Sequence, residues 1–264
     1  MRLRYYLRLV GGQLRMSVLA ALQYRLGFWT QGVLGILWSA LGMAPLVIAA
    51  SRLESVAGWK PVELVLLTGC FTTMTGLWSA LLGPALIASM NHIRRGTLDY
   101  VLLRPADALV LCLVAEFAPW SLIEALGGLL LIAGALIQLG RMPGPLELLA
   151  ALGLGLAGML ALYALGVMVL CASFRAMQLQ NLTYLMEAVL DFGRWPAQVF
   201  RGALRVLFTY VVPLAVMTTY PAQALLGELD GTTVATALVT SVGLMLVARL
   251  LWLRALRGYT SASS

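Results

Sequence analysis

Charge is what this chain has least of. Asp, Glu, Lys and Arg make up 11% of its 264 residues against 61% hydrophobic ones, and the mean hydropathy is +0.91. A soluble domain carries about a quarter charged residues, so a water-soluble fold is excluded. Lysine and histidine each occur once, as Lys60 and His92. A nucleotide-binding P-loop needs a lysine within GxxxxGK[ST] to reach the phosphates, and Lys60 lies instead in Trp59-Lys60-Pro61. An HExxH zinc site needs two histidines, and no GxSxG nucleophile elbow occurs. The three cysteines, Cys70, Cys112 and Cys171, stand far apart inside apolar runs without metal-ligand spacing and read as packing residues.

What the chain has instead is long charge-free runs, at residues 26–50, 64–90, 148–174, 206–227 and 231–248. Each reaches or approaches the roughly 20 apolar residues needed to cross a bilayer. A single all-α membrane domain over residues 1–264 follows, with six crossings at 26–50, 62–90, 108–140, 148–174, one within 175–230, and 231–253. The third stretch is interrupted by Glu116 and Glu124, two turns apart on a helix. Gly153, Ala157 and Ala161 give the fourth a small-residue face suited to close helix contact.

Residues 1–25 are expected to lie in the interface rather than cross it. At 100° per residue Leu3, Leu7, Val10, Leu14 and Val18 share one face, with Arg4, Arg8 and Arg15 beside it. Gly11 and Gly12 are its expected breaking point. Residues 175–230 admit two readings. In one, 206–227 is the fifth crossing and 176–205 is cytoplasmic. In the other, 176–195 crosses as a semi-polar helix and 196–227 dips into the membrane, bent at Pro213 and Pro221.

The net charge of +7 comes from basic residues placed between apolar runs, not from a patch facing nucleic acid. In the first topology 15 of the 18 lie on the side of both termini and 3 opposite, in the second 12 and 6. Both ratios put the termini in the cytoplasm.

The polar loop at 91–107 reads NHIRRGTLDYVLLRPAD. Thr97 after Gly96 has the chemistry of an N-cap, Leu98, Val101 and Leu102 form an i, i+3, i+4 face, and Arg104-Pro105 ends the turn. A short amphipathic helix between two crossings suits docking to another protein. In 68–79, Thr68, Thr72, Thr75 and Ser79 fall within about 60° of one another and form a hydroxyl stripe. In 180–191, Gln180, Tyr184, Glu187 and Asp191 share a face that lipid would penalise.

The stretch Gly96-Thr97-Leu98-Asp99-Tyr100-Val101-Leu102-Leu103-Arg104-Pro105 resembles the GTL(D/E)xxLLxxP signature in the loop after the second crossing of type-2 ATP-binding-cassette (ABC) exporter permeases. Trp195-Pro196, Leu204-Arg205, Val212-Pro213-Leu214-Ala215 and Tyr220-Pro221 resemble the proline-punctuated region before the last crossing in one branch of that family, and the likeness covers nearly the whole chain. It implies a permease subunit that exports an amphipathic or lipid-like solute without an ATPase site or cofactor of its own. ATP and Mg would be held by two partner ABC ATPase subunits. A second permease, identical or paralogous, would complete the pathway among membrane lipids, in a bacterial inner membrane.

The resemblance further implies that Gly96, Thr97, Leu98, Asp99, Tyr100, Val101, Leu102, Arg104 and Pro105 form the coupling helix seated in the ATPase, that 1–25 is the connecting helix, and that 196–227 is re-entrant. It implies a pathway along the second and fifth crossings, here Thr68, Thr72, Thr75, Ser79, Gln180, Tyr184 and Glu187. Residues 91–95, Asn-His-Ile-Arg-Arg, depart from relatives that carry Glu or Asp before the GTL motif. The competing expectation is an ion-gradient-driven secondary carrier using Glu116 and Glu124.

Overall fold

The chain, as a computed structural model, is described over residues 2–23, 25–52, 55–174, 181–208 and 212–258, and is helical there without strands. The helices in order are α1 (Arg2–Gln23), α2 (Arg25–Arg52), α3 (Pro61–Leu77), α4 (Gly83–Arg94), α5 (Leu98–Leu102), α6 (Ala108–Leu113), α7 (Leu122–Gln138), α8 (Pro145–Ser173), α9 (Asn181–Asp191), α10 (Ala203–Val206), α11 (Tyr220–Leu225) and α12 (Gly231–Arg257). Among the described residues four helical runs are long and apolar enough to cross a membrane: Pro61–Arg94, Pro119–Gln138, Pro145–Ser173 and Gly231–Arg257. A shorter apolar helix, Leu26–Trp38, lies within α2. The helix α1 runs unbroken through Gly11 and Gly12, against expectation.

Two of these runs start from the same four-residue device. Lys60-Pro61-Val62-Glu63 and Gly144-Pro145-Leu146-Glu147 each place proline at the first helical position, where its missing N–H is no loss. The glutamate then turns back to accept the backbone N–H of the capping residue, at 2.8 Å in both cases.

Packing divides into two helix pairs. In the first, α3 lies along α7 through small residues: a Cβ at Gly76 would stand 2.4 Å from Ala125 N, and one at Gly128 2.4 Å from Thr73 N. Backbones this close gain dispersion contact that larger side chains would block. In the second, α8 lies along α12, and α11 with the wide turn Ala215–Thr219 covers α8. Ala157 and Ala161 are buried as a small-residue face requires. Gly153 has nothing near it, however, and the closest approach of α8 to another backbone falls at Gly158, where a Cβ would stand 2.8 Å from Met217 Cα.

The third apolar stretch is not one helix. It breaks between α6 and α7, and proline rather than glutamate is the cause. Pro119 has no N–H for the carbonyl of Ala115 four residues back, and Gln13 Nε2 of α1 donates to that carbonyl instead, at 2.8 Å. Pro84 likewise leaves the carbonyl of Ala80 without its helical donor. The wide π turn Trp78–Leu82 precedes it, and Ala80 O accepts Ala118 N at 2.9 Å. Two prolines thus free two carbonyls, and each is used to hold the break in place.

Nor is 206–227 a single helix. α10 ends at Val206, Val212 and Pro213 are not helical, and a new run resumes through the π turn into α11. That run passes through Pro221 without interruption.

Candidate functional site: a polar cavity and an exposed loop helix

Three of the four hydroxyls predicted to form a stripe on the second crossing share one cavity. Thr68, Thr72 and Thr75 line a space of about 500 Å³ together with Glu124 of α7, Asp191 of α9, Arg194 and a stretch of α2 from Gly35 to Gly42. Thr68 and Thr75 return hydrogen bonds to their own helix, on Leu64 O at 2.7 Å and Phe71 O at 3.0 Å, the usual behaviour of intramembrane hydroxyls. Thr75 Oγ1 also donates to Glu124 Oε1 at 3.3 Å. Thr72 differs, because its hydroxyl oxygen is buried and has no hydrogen-bond partner among the described residues. Ser79 does not line the cavity. It lies in the π turn, whose wider pitch carries it out of register with the threonines above.

On the opposite wall the expected polar face of 180–191 contributes only its last member. Asp191 lines the cavity, whereas Glu187 is exposed and does not. Gln180 lies outside the described residues, as does the side chain of Tyr184. Arg194, which periodicity did not single out, is bound on three sides. Its guanidinium donates to Asp191 O at 3.1 Å, to Asp191 Oδ1 at 2.6 Å and to Gly42 O at 2.6 Å, and stands 5.4 Å from the centre of the Phe71 ring. The available signal was its i, i+3 spacing from Asp191 just before Trp195-Pro196.

The loop at 91–107 folds as a helix end followed by a short helix. Gly96 has φ +67°, and the N–H groups of Gly96 and Thr97 return to Ile93 O and His92 O at 3.2 and 2.9 Å. This is the Schellman arrangement, in which glycine supplies the left-handed residue that ends a helix. Against expectation, Thr97 does not cap α5 with its side chain. Its hydroxyl meets His92 Nδ1 at 2.8 Å, and His92 is half-buried.

The helix α5 presents two sides. Leu98 is fully buried in the core that contains Trp252, and Val101 packs against that core. Tyr100 and Leu103 are 72% and 81% exposed, and Leu102, Arg104 and Pro105 are exposed beside them. Asp99 is half-buried. The apolar face expected on Leu98, Val101 and Leu102 is thus divided between the chain's own core and its surface.

A family model described as ABC-2 family transporter protein matches residues 36–263, which takes in the cavity lining apart from Gly35, α5 and all four crossing runs. The chain belongs to that family. No curated protein and no solved structure matches it. As an ABC-2 permease it is a multi-pass membrane transport component, and Glu116 and Glu124 acquire separate settings within it. Glu124 faces the threonine cavity, while Glu116 lines another, between α1, α2 and the break before Pro119. The expected proton- or ion-binding pair is therefore not assembled at one site.

Proposed function

We propose that this ABC-2 permease is the membrane subunit of an ATP-driven exporter of an amphipathic or lipid-like solute. It crosses a bacterial inner membrane six times with both termini in the cytoplasm. The six crossings are the four apolar runs, α2 and one within 176–195. The interruption at Val212 and Pro213 supports a re-entrant course for 196–227 over a crossing at 206–227. ATP and Mg are bound by two separate ABC ATPase subunits, and a second permease, identical or paralogous, completes the pathway.

The observation that carries the coupling role is the surface of α5. Tyr100 and Leu103 project from a helix whose other side is locked into the core by Leu98. An apolar and aromatic pair held rigidly outside the membrane suits a cleft on a partner protein. Closure of the ATPases pushes on residues 96–105, and the buried side passes the movement to the crossing helices. The cavity of Thr68, Thr72, Thr75 and Glu124 is the solute-facing surface of this subunit.

Co-expression with an ABC ATPase tests the reading. The pair is expected to copurify and to couple ATP hydrolysis to solute movement in liposomes. Uphill transport by the permease alone, driven by a proton or sodium gradient, would overturn it.

A further inference from the structure

We propose that Arg194 is the latch of the threonine cavity: its hydrogen bond to Gly42 closes the seam between α2 and the turn after α9, and must break for a solute to pass between cavity and bilayer. This rests on the reading of the cavity as solute-facing.

The cavity opens along α2, where Trp38 and Leu41 line it while remaining 72% and 63% exposed. At the Gly42 end of that opening the guanidinium of Arg194 reaches across from the turn Phe192–Arg194. Two of its three described hydrogen bonds stay within its own segment, on Asp191, and only the one to Gly42 O crosses to α2. Among the described residues the side-chain hydrogen bond across this seam is thus this one charge-assisted contact from Arg194 to Gly42 O. Asp191 and the Phe71 ring keep the guanidinium paired when that bond is broken, so opening leaves no isolated charge in an apolar setting.

Gly42 is fitted to this contact. A Cβ there would stand 2.7 Å from Arg194 Nη1 and 3.2 Å from Cζ. Glycine in a helix interior is less favourable than alanine, and here its bare carbonyl gives the arginine access. Behind the seam lies the Thr72 hydroxyl, without a hydrogen-bond partner among the described residues and only 4% exposed, beside Thr75 and Glu124. The latch thus separates lipid from polar groups that a solute can satisfy.

The test is thiol access in the full-length chain reconstituted in liposomes. A Thr72→Cys thiol is reacted with bilayer-permeant N-ethylmaleimide and, separately, with a charged maleimide confined to water. Peptide mass spectrometry separates the product from Cys70, Cys112 and Cys171. Gly42→Ala, which retains Arg194 and Asp191 but displaces the contact of Arg194 with α2, is expected to speed N-ethylmaleimide labelling about tenfold. That is the factor implied by losing one charge-assisted hydrogen bond from an open–closed equilibrium. Arg194→Ala is expected to act in the same direction, and a melting temperature unchanged in Gly42→Ala separates opening from unfolding. Equal labelling rates with and without Gly42→Ala overturn the latch, and so does an equal gain for the charged reagent, which would place the opening toward water. Faster labelling in Gly42→Ala, with Thr72→Val and Thr75→Val leaving coupled transport intact, supports the latch and removes the solute-facing reading of the cavity.

Discussion

Both carboxylate oxygens of Asp107 receive the guanidinium of Arg249, which ties the loop following α5 to α12 across 142 residues of sequence. The Asp107 side chain also accepts Leu109 N at 2.9 Å and so caps α6. Tyr163 Oη of α8 donates to Leu109 O at 3.1 Å. The start of α6 is thereby joined to both members of the α8–α12 pair, next to the helix proposed to meet the ATPase.

The two roles of Asp107 separate by substitution. Asparagine keeps an oxygen for the cap and loses the charge, while alanine loses both. Asp107→Asn is expected to destabilise the protein by about 1 kcal/mol, since the pair is only half-buried. Asp107→Ala is expected to cost roughly 1 kcal/mol more through the lost cap. Thermal unfolding of the detergent-purified variants at neutral pH measures the difference.

The same pair sets a pH dependence. Partial burial would raise the Asp107 pKa, but the Arg249 hydrogen bond and charge and the amides of Leu109 and Val110 outweigh it, so the carboxyl is held below its ordinary value. A carboxylate whose folded pKa is lowered adds stability that is fully present above the unfolded pKa of about 4 and disappears as pH falls through the folded value. The melting-temperature gap between the unsubstituted protein and Asp107→Asn is expected to stay constant from pH 8 to pH 5. It should close below about pH 4, and a gap that widens on acidification would contradict the assignment.

Much of this architecture is legible in composition and spacing, because a bilayer leaves few ways to satisfy a backbone. The crossing runs, the helix α1, the loop helix and the shared face of Thr68, Thr72 and Thr75 follow from apolar length and helical period. What spacing does not reveal is where a helix changes pitch or stops. Pro84 and Pro119 lie in plain view, yet their effect depends on partners far away: Ala118 for the carbonyl of Ala80 and Gln13 for that of Ala115. The π turn before Pro84 carries Ser79 off the stripe, which a fixed 100° step cannot express. Gly96-Thr97 is read correctly as a boundary, but as the capped start of the loop helix, whereas its hydrogen bonds close the end of α4. Arg194 falls outside any apolar period, and its role depends on a glycine in another helix.

Glycine on α7 gives a paired test of the packing. Gly127 and Gly128 are neighbours, but a Cβ at Gly127 meets nothing within 4 Å, while one at Gly128 lies 2.4 Å from Thr73 N, a backbone atom that cannot swing aside. Gly128→Ala is expected to destabilise by about 1–3 kcal/mol through overpacking. Gly127→Ala is expected to be neutral or to stabilise by up to about 1 kcal/mol through helix propensity. Equal melting temperatures for the two variants would mean that α3 and α7 do not approach as closely as described.

The division of α5 into a buried and an exposed side decides which substitutions report on docking and which on folding. Leu98 is fully buried, so Leu98→Asp places a carboxylate in the core and is expected to lower the yield of folded protein whatever the partner does. Tyr100 and Leu103 are exposed, so Tyr100→Asp with Leu103→Asp should leave the melting temperature of the isolated permease within about 1 °C, in keeping with surface substitutions worth less than about 0.5 kcal/mol. If these side chains fill a cleft of the ATPase, the double variant should copurify with it at least about tenfold less well, since buried apolar and aromatic anchors contribute more than about 1.4 kcal/mol at an interface. Measuring both quantities on the same preparations makes the outcome unambiguous: a stable double variant that still binds and couples its ATPase would move the coupling surface away from α5, whereas a stable variant that fails to bind would fix it there.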